Sequence, residues 1–134
     1  MVQNFIEIAK AAKDASLKIA DLKTEIKNTA LNKIADMFEI YKAEIFEANK
    51  EDLSEAESLV ANGELTKSTF NRLKLDENKM SDMIQGVRDI ANLDDPIGKN
   101  LFVRELDDGL TLSKVSCPIG VLGIIFEARP DVIS

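Results

Sequence analysis

The feature that most constrains the fold of this chain is an uncharged stretch close to its C-terminal end. No charged residue occurs between Lys114 and Glu127, and Val121–Phe126 is apolar with one glycine and no alternation of polar and apolar side chains. A run of this kind is typical of a strand covered on both faces, as in a parallel sheet between helical layers. Such a strand needs neighbours and crossover helices, and none follows it here. We therefore expect an α/β fold of which this chain holds only the first sheet strand.

Helical periodicity organises the first half of the chain. Two apolar stripes with spacings of three and four residues are separated by charged positions, and their width predicts two buried faces of a helical bundle. The pattern leaves open whether the helix breaks between Asp21 and Thr24, although Thr24 is a candidate N-cap. The first stripe is Phe5, Ile8, Ala12, Ala15, Ile19, Leu22 and Ile26, and the second is Ala30, Ile34, Met37, Tyr41 and Ile45, widened by Leu31, Phe38 and Phe46.

Residues with capping chemistry mark three further helix starts. Ser54 and Glu57 have the spacing of a capping box, which predicts a short helix that begins there and ends near Gly63. Thr66 is a candidate N-cap of another short helix, and Asp76 of a longer one that ends before Pro96. The apolar side of this longer helix consists of Met80, Met83, Ile84, Val87, Ile90 and Ala91.

The pattern changes after Gly98. Two segments rich in β-branched and apolar residues, Leu101–Leu106 and Leu110–Cys117, flank an Asp-Asp-Gly turn. Gly109 tolerates positive φ, and the aspartates hydrogen-bond readily to a turn backbone. The sequence therefore predicts a β-hairpin.

The composition excludes several classes of function. The 134 residues carry a net charge of −7, which argues against a nucleic-acid partner because phosphates would be repelled. One cysteine and no histidine exclude an intrachain disulfide and any Ser-His-Asp or Cys-His site built from this chain alone, and they fit a reducing cytoplasm. No apolar run approaches the roughly 20 residues of a membrane-spanning helix, so we expect no membrane partner.

The strongest candidate site is the charged turn after the apolar run. Glu127, Arg129 and Asp131 stand at the carboxyl end of the predicted strand, where ligands gather in open α/β sheets, and Pro130 stiffens the turn. The Arg129 guanidinium has the donors to hold a carboxylate or a phosphate. The alternative is a solvated loop in which the three charged residues pair with one another, and position alone does not separate the two.

Other candidates have simpler explanations. Cys117 is predicted to be a small core residue, since a lone cysteine in an apolar strand usually is. The run from Gly120 to Gly123 lacks the third glycine of the dinucleotide fingerprint and the Lys-Ser or Lys-Thr pair of a phosphate loop, so it predicts close backbone packing. Lys27 and Asn28 are expected on a helix surface.

Four blocks of the chain, in order, resemble the gamma-glutamyl phosphate reductase family, also called glutamate-5-semialdehyde dehydrogenases, of the aldehyde dehydrogenase superfamily. No single block is specific, but together they cover nearly the whole chain. The blocks are IKNTALNKIADMF, EIFEANKEDL, FNRLKLDENKMSDMIQGVRDIANLDDPIG and PIGVLGIIFEARPDV.

The resemblance implies an aldehyde dehydrogenase-like α/β fold. Residues 1–99 would be the N-terminal helical part of the cofactor-binding domain, 100–117 the β-hairpin of an oligomerisation element, and 118–134 the first strand and loop of a dinucleotide-binding parallel sheet. It also implies NADPH-dependent reduction of L-glutamyl 5-phosphate to L-glutamate 5-semialdehyde in proline biosynthesis. A thiolate would displace phosphate to give a thioester, which hydride then releases as the aldehyde. A homo-oligomer, association with glutamate 5-kinase and a cytoplasmic location are implied as well.

The resemblance places cofactor or substrate binding at Glu127, Arg129, Pro130 and Asp131, with a substrate role also for Lys27 and Asn28. No catalytic residue or metal ligand falls in this chain: Cys117 aligns with a non-catalytic position, and the family's catalytic cysteine lies further along. The chain departs from the family at Asp131, where many members have asparagine. An ionised carboxylate donates no hydrogen bond, so the resemblance does not support an oxyanion role there.

The resemblance also predicts that these residues are an N-terminal fragment, inactive alone, with exposed apolar surface where Val121–Phe126 lacks its sheet neighbours. Two alternatives stay open. The chain could be a non-catalytic helical interaction module, or a related dehydrogenase with a different acyl substrate, although the Glu-x-Arg-Pro motif disfavours the latter.

Overall fold

The computed structural model describes residues 4–133, which form five α-helices, one β-hairpin and a terminal 3-10 helix. The helices precede the hairpin, as the change of periodicity predicts. The elements are α1 (Phe5–Ala20), α2 (Thr24–Ile40), α3 (Lys42–Ala61), α4 (Lys67–Leu73), α5 (Glu77–Asn92), β1 (Asn100–Asp107), β2 (Leu110–Val115) and the 3-10 helix Pro130–Ile133.

The described residues divide into two compact units. One comprises residues 4–24 with Asp94–Gly123, and therefore contains α1 and the hairpin; the other comprises Glu25–Leu93 with residues 124–133. The division into 1–99, 100–117 and 118–134 concerns domain membership in a whole protein and stays a prediction.

Local capping chemistry fixes three helix ends in the helical unit, the end of α3 and the starts of α4 and α5. The Thr66 hydroxyl accepts a hydrogen bond from the Thr69 amide (3.1 Å), and the Asp76 carboxylate accepts one from the Lys79 amide (2.9 Å), so both predicted N-caps are confirmed. Gly63, at φ 77°, ends α3 in a Schellman motif, because its own amide and the next one bond back to the carbonyls of Val60 and Leu59.

The capping box predicted at Ser54 is wrong. Ser54 and Glu57 lie inside α3, which runs without interruption from Lys42 to Ala61. No glycine or proline breaks this segment, and its many alanine, glutamate and leucine residues favour continued helix over a new start. The break that the sequence left open, between Asp21 and Thr24, is present: α1 ends at Ala20 and α2 begins at Thr24.

The core of the helical unit forms where α2, α3 and α5 meet. Its buried residues are Ala35, Met80, Ile84 and Val87, and the partly buried residues packed against them are Leu31, Phe38, Ile45, Phe46 and Leu75. The predicted apolar side of α5 is therefore buried, except for the exposed Ile90. On α2 the buried face is offset from the predicted stripe: Ala35 is inside, whereas Ile34 and Met37 are about half exposed.

A buried asparagine stabilises the turn between α4 and α5. The Asn49 side chain of α3 donates to the carbonyl of Leu73 (2.9 Å) and accepts from the amide of Leu75 (3.0 Å). Asn49 is 8% exposed, so these two backbone groups satisfy a polar side chain that would be costly to bury alone. The turn that leads into the Asp76 cap is thereby attached to α3.

The unit that contains α1 is much more exposed. No residue of α1 is buried, although the sequence predicted its stripe as a buried face. Periodicity identifies which face of a helix is apolar, but burial also requires a second apolar surface. The hairpin is confirmed, with Asp107 opposite Leu110 and Gly109 at φ 74° in the turn, but all residues of both strands are exposed.

The predicted buried strand at 121–126 is wrong for this structure. These residues form no helix or strand, and their large apolar side chains are exposed, Ile125 completely. A parallel strand exists only when a neighbour satisfies its backbone, and among residues 4–133 the one sheet is the two-stranded hairpin. The expectation of exposed apolar surface at this segment is confirmed.

Candidate functional site

The candidate site comprises residues 127–131, which follow the exposed apolar segment 121–126 and include the first two residues of the 3-10 helix Pro130–Ile133. Two backbone features shape it. Ala128 has φ 51°, in the left-handed region, and the amide of Val132 donates to the carbonyl of Arg129 (3.2 Å). Pro130 favours this turn because its ring fixes φ and restrains the residue before it.

The residues of this loop differ in exposure. Glu127 and Arg129 are exposed, whereas Ala128, Pro130 and Asp131 are partly buried. The 3-10 helix packs against α5, and a cleft of about 210 Å³ is lined by Asp131 and, on α5, by Lys79, Asp82 and Met83. The loop therefore has an inner side that contacts α5 and an outer side that carries a carboxylate and a guanidinium.

The structure brings two of the four predicted binding residues of the loop into an ion pair. Nη2 of Arg129 lies 3.6 Å from Oδ2 of Asp131, and the two side chains are 55% and 30% exposed. An ion pair this accessible to water contributes little to stability, so the guanidinium remains able to exchange its partner for another anion. The two sequence hypotheses are thus compatible: Arg129 pairs within the loop and stays accessible to a ligand.

The other predicted residues lie elsewhere or have ordinary surroundings. Lys27 and Asn28 are neighbours near the start of α2 and are partly buried, and the Asn28 carbonyl accepts a hydrogen bond from Asn32 (2.9 Å). Cys117 follows β2 and is exposed, so the expectation of a core cysteine is wrong: the strand ends at Val115.

The described residues offer no site for a metal ion or for a dinucleotide pyrophosphate. Within the described residues 4–133, no group of three or more potential metal ligands is found. The run from Gly120 to Gly123 lies outside any helix or strand, so it lacks the strand-to-helix turn that presents backbone amides to phosphate. The residues present therefore do not fit a nicotinamide dinucleotide by themselves.

Comparison with known proteins gives a consistent result. No protein-family model matches this chain. A gamma-glutamyl phosphate reductase from Brachyspira hyodysenteriae is 55% identical over 129 residues, which are 96% of this chain and 30% of the relative. One from Methanosarcina mazei is 46% identical over 91% of this chain and 27% of the relative.

Solved structures agree with the sequence comparison. The crystal structure of the Saccharomyces cerevisiae gamma-glutamyl phosphate reductase superposes on 95% of this chain with a TM-score of 0.87 and 43% identity. This chain is homologous to an N-terminal part of gamma-glutamyl phosphate reductases. The Thermotoga maritima reductase gives a TM-score of 0.85 at 34% identity and also covers 95% of the chain. The predicted α/β fold class is thereby confirmed for this chain.

The chain spans about 30% of the length of the gamma-glutamyl phosphate reductases that it matches. Two features of this chain escaped sequence reasoning. Nothing in the sequence signals the left-handed backbone at Ala128, because non-glycine residues seldom adopt this conformation. The role of Asn49 depends on partners 24 and 26 residues away, and the only signal was its place in the block EIFEANKEDL.

A further property concerns membranes. Across the described residues, α1 to α5 include no helix whose length and apolar character would suit a membrane span.

Proposed function

We propose that this chain belongs to an enzyme that reduces L-glutamyl 5-phosphate to L-glutamate 5-semialdehyde with NADPH, in proline biosynthesis. The observation that carries the proposal is the 55% identity to a gamma-glutamyl phosphate reductase along 96% of the chain, in the same fold as two solved reductases. A non-catalytic interaction module is not favoured, because nothing in that hypothesis accounts for such identity.

Arg129 is the residue of this chain that we assign to the substrate. L-glutamyl 5-phosphate carries a carboxylate and a phosphate, and a guanidinium binds either group through two parallel hydrogen bonds. Arg129 is exposed and its ion pair with Asp131 is weak, so these donors stay accessible. Glu127 and Pro130 shape the same loop, and Asp131 would hold the guanidinium until the substrate anion replaces it.

We assign the catalytic nucleophile to none of the described residues, and these residues form no pyrophosphate cradle. NADPH would provide the hydride when bound, but no step through it is assigned to this chain, because residues 4–133 do not fit the dinucleotide. Cys117 is an exposed free thiol that follows the exposed hairpin. We assign it no part in catalysis, and the thiolate of the proposed mechanism would belong to residues that this stretch does not contain.

The remaining implications concern the assembly. We propose a cytoplasmic homo-oligomer in which the hairpin contributes to the subunit contact, together with association with glutamate 5-kinase. The support is physical: every residue of both hairpin strands is exposed, and its apolar side chains include Leu101, Phe102 and Val103. Light scattering of the purified protein, with and without the kinase, tests both associations.

The proposed reductase activity and the role of Arg129 in substrate binding are tested with the variant Arg129→Gln, expressed from the complete gene. Glutamyl phosphate reductase activity is measured as NADPH oxidation, and we expect the KM for L-glutamyl 5-phosphate to rise by about tenfold or more, the effect of losing a charged hydrogen bond. Arg88→Gln is the matched control and should leave KM unchanged, because Arg88 is an exposed arginine of α5 that also pairs with an aspartate, Asp36 (3.1 Å). No activity in the unmodified protein contradicts the proposed function, whereas equal KM values contradict the role of Arg129 alone.

A further inference from the structure

The backbone at Ala128 is unusual within the described chain. Among residues 4–133, Ala128 is the one non-glycine residue with positive φ; the other four positions with positive φ are glycines. A Cβ atom disfavours the left-handed conformation, because it approaches the neighbouring carbonyl oxygen. An alanine stays in this conformation only where its surroundings determine it, and such residues cluster at ligand sites.

The contacts that hold Ala128 lie in the residues that follow it. On the C-terminal side, Pro130 has a fixed φ and the Val132 amide bonds to the Arg129 carbonyl, which closes the turn. Pro130 and Asp131 are partly buried, and the 3-10 helix that begins at Pro130 packs against α5. The chain after Ala128 is therefore anchored, and its path requires the change of direction that a left-handed residue provides.

The change of direction determines where Arg129 points. Ala128 is partly buried, and the residues on either side of it, Glu127 and Arg129, are exposed. If residue 128 moved to an ordinary β or α conformation while residues 130–132 stayed anchored, the Arg129 side chain could not keep its outward position beside Asp131. The exposure of the Arg129 guanidinium therefore depends on the left-handed conformation of Ala128.

We propose that Ala128 is a positioning residue: its left-handed backbone presents the Arg129 guanidinium to the anionic group of the substrate. This inference rests on the proposed function, since it concerns binding of a carboxylate or phosphate by Arg129. Ala128 itself contacts no substrate in this scheme, and its side chain contributes only by being small enough for the conformation.

Valine and glycine at position 128 test the proposal in the protein as its gene encodes it. Valine is β-branched and excluded from the left-handed region, so Ala128→Val should raise the KM for L-glutamyl 5-phosphate about tenfold, with kcat within about twofold. Glycine adopts the region freely, so Ala128→Gly should keep KM within about threefold. Ala61→Val, at the exposed last residue of α3, makes the same change of side chain and should have no effect on KM.

A double-mutant cycle separates positioning from a general structural role. In the Arg129→Gln background, Ala128→Val should change KM by less than about twofold, because both substitutions remove the same interaction. A merely structural role would give additive effects on KM. Additive effects, or an unchanged KM in Ala128→Val alone, would overturn the inference while the reductase activity of the unmodified protein still supported the proposed function.

If Ala128→Val does not fold, a milder pair of variants replaces it. Asparagine occupies the left-handed region several times more often than most residues, whereas serine does not share this preference. We therefore expect the KM of Ala128→Ser to exceed that of Ala128→Asn by about threefold. Equal KM values for the two variants would contradict the proposal.

Discussion

Helices α1 and α5 have the same length, 16 residues, and very different surroundings. Both carry apolar residues on one face. In α5 five residues are buried, whereas in α1 none is. Their N-termini differ as well: Asp76 caps α5 through its side chain, and Asn4 makes no side-chain hydrogen bond at the start of α1.

The difference shows how little of a helix's stability lies in its own sequence pattern. An isolated helix of this length is marginal in water, and most helical stability in proteins comes from packing of the apolar face. Helix α5 has that packing from α2 and α3, in the core around Met80. No residue of helix α1 is buried within the described structure, so its apolar face contributes little here.

One substitution in each helix tests this difference, and the one in α5 should cause the largest loss of stability. Ile84 of α5 is 8% exposed and Ile8 of α1 is 50% exposed. Ile84→Ala should lower the free energy of unfolding by about 2–5 kcal/mol, because it removes buried methyl groups and leaves a cavity. Ile8→Ala should lower it by less than about 1 kcal/mol. Urea unfolding followed by circular dichroism measures both.

The outcome that would break the comparison is an equal loss in the two variants. An equal loss would mean that the apolar face of α1 is covered in the protein by a surface outside residues 4–133. A reduced m-value in Ile84→Ala alone would instead indicate a change in cooperativity, so both parameters have to be fitted.

The contrast between the packed helix α5 and the unpacked helix α1 explains what the sequence could and could not predict. The ends of helices at Gly63, Thr66 and Asp76 were predictable, because a cap is satisfied by atoms within a few residues of it. The burial of α1 and of residues 121–126 was not, because periodicity and apolarity identify a surface without identifying what covers it.

The candidate site divides in the same way. The position of the charged loop and the chemistry of Arg129 follow from residue type, and its pairing with Asp131 was one of two stated possibilities. The left-handed Ala128 depends on how the following residues pack against α5, which no local pattern encodes. Sequence reasoning therefore found the residues of the loop but not the conformation that orients them.

A smaller effect is expected at the polar contact inside the helical unit. Asn49→Ala removes two hydrogen bonds, to Leu73 and Leu75, and leaves those backbone groups unpaired near the core. The free energy of unfolding should fall by about 1–3 kcal/mol. Asn32→Ala is the matched control: its one bond lies on an exposed face of α2, and we expect a change within about 0.5 kcal/mol. Similar losses in both would show that the Asn49 contacts are exchanged for water at little cost.

The N-cap residues of α1 and α5 also differ, and removing each of them should change the free energy of unfolding by a smaller amount. Asp76→Ala should destabilise the protein by about 1 kcal/mol, since the Lys79 amide loses its acceptor. Asn4→Ala should cost no more than a few tenths, because the Asn4 side chain makes no capping bond. Thermal unfolding of the two variants under one buffer condition ranks them. A larger loss for Asn4→Ala would reverse the order of stability inferred for the two helix starts.

The smallest effect is a pH dependence at the start of α5. Glu77 in the first turn of α5 forms an ion pair with Lys42 of α3, and this hydrogen bond raises the pKa of the Lys42 ammonium above its usual range. Because the folded protein then holds this proton more tightly than the unfolded chain, the pair stabilises the fold below the ordinary lysine pKa of about 10.4 and ceases to do so as the pH rises through the raised value. Glu77→Gln should therefore lower the melting temperature slightly at pH 8, and the difference from the unmodified protein should shrink as the pH rises above the ordinary lysine pKa and through the raised one. Glu7→Gln, in the first turn of α1, is the control, and its difference in melting temperature from the unmodified protein should not shrink with rising pH. If the difference for Glu77→Gln also stays constant across this range, the ion pair is solvated and does not link α3 to α5.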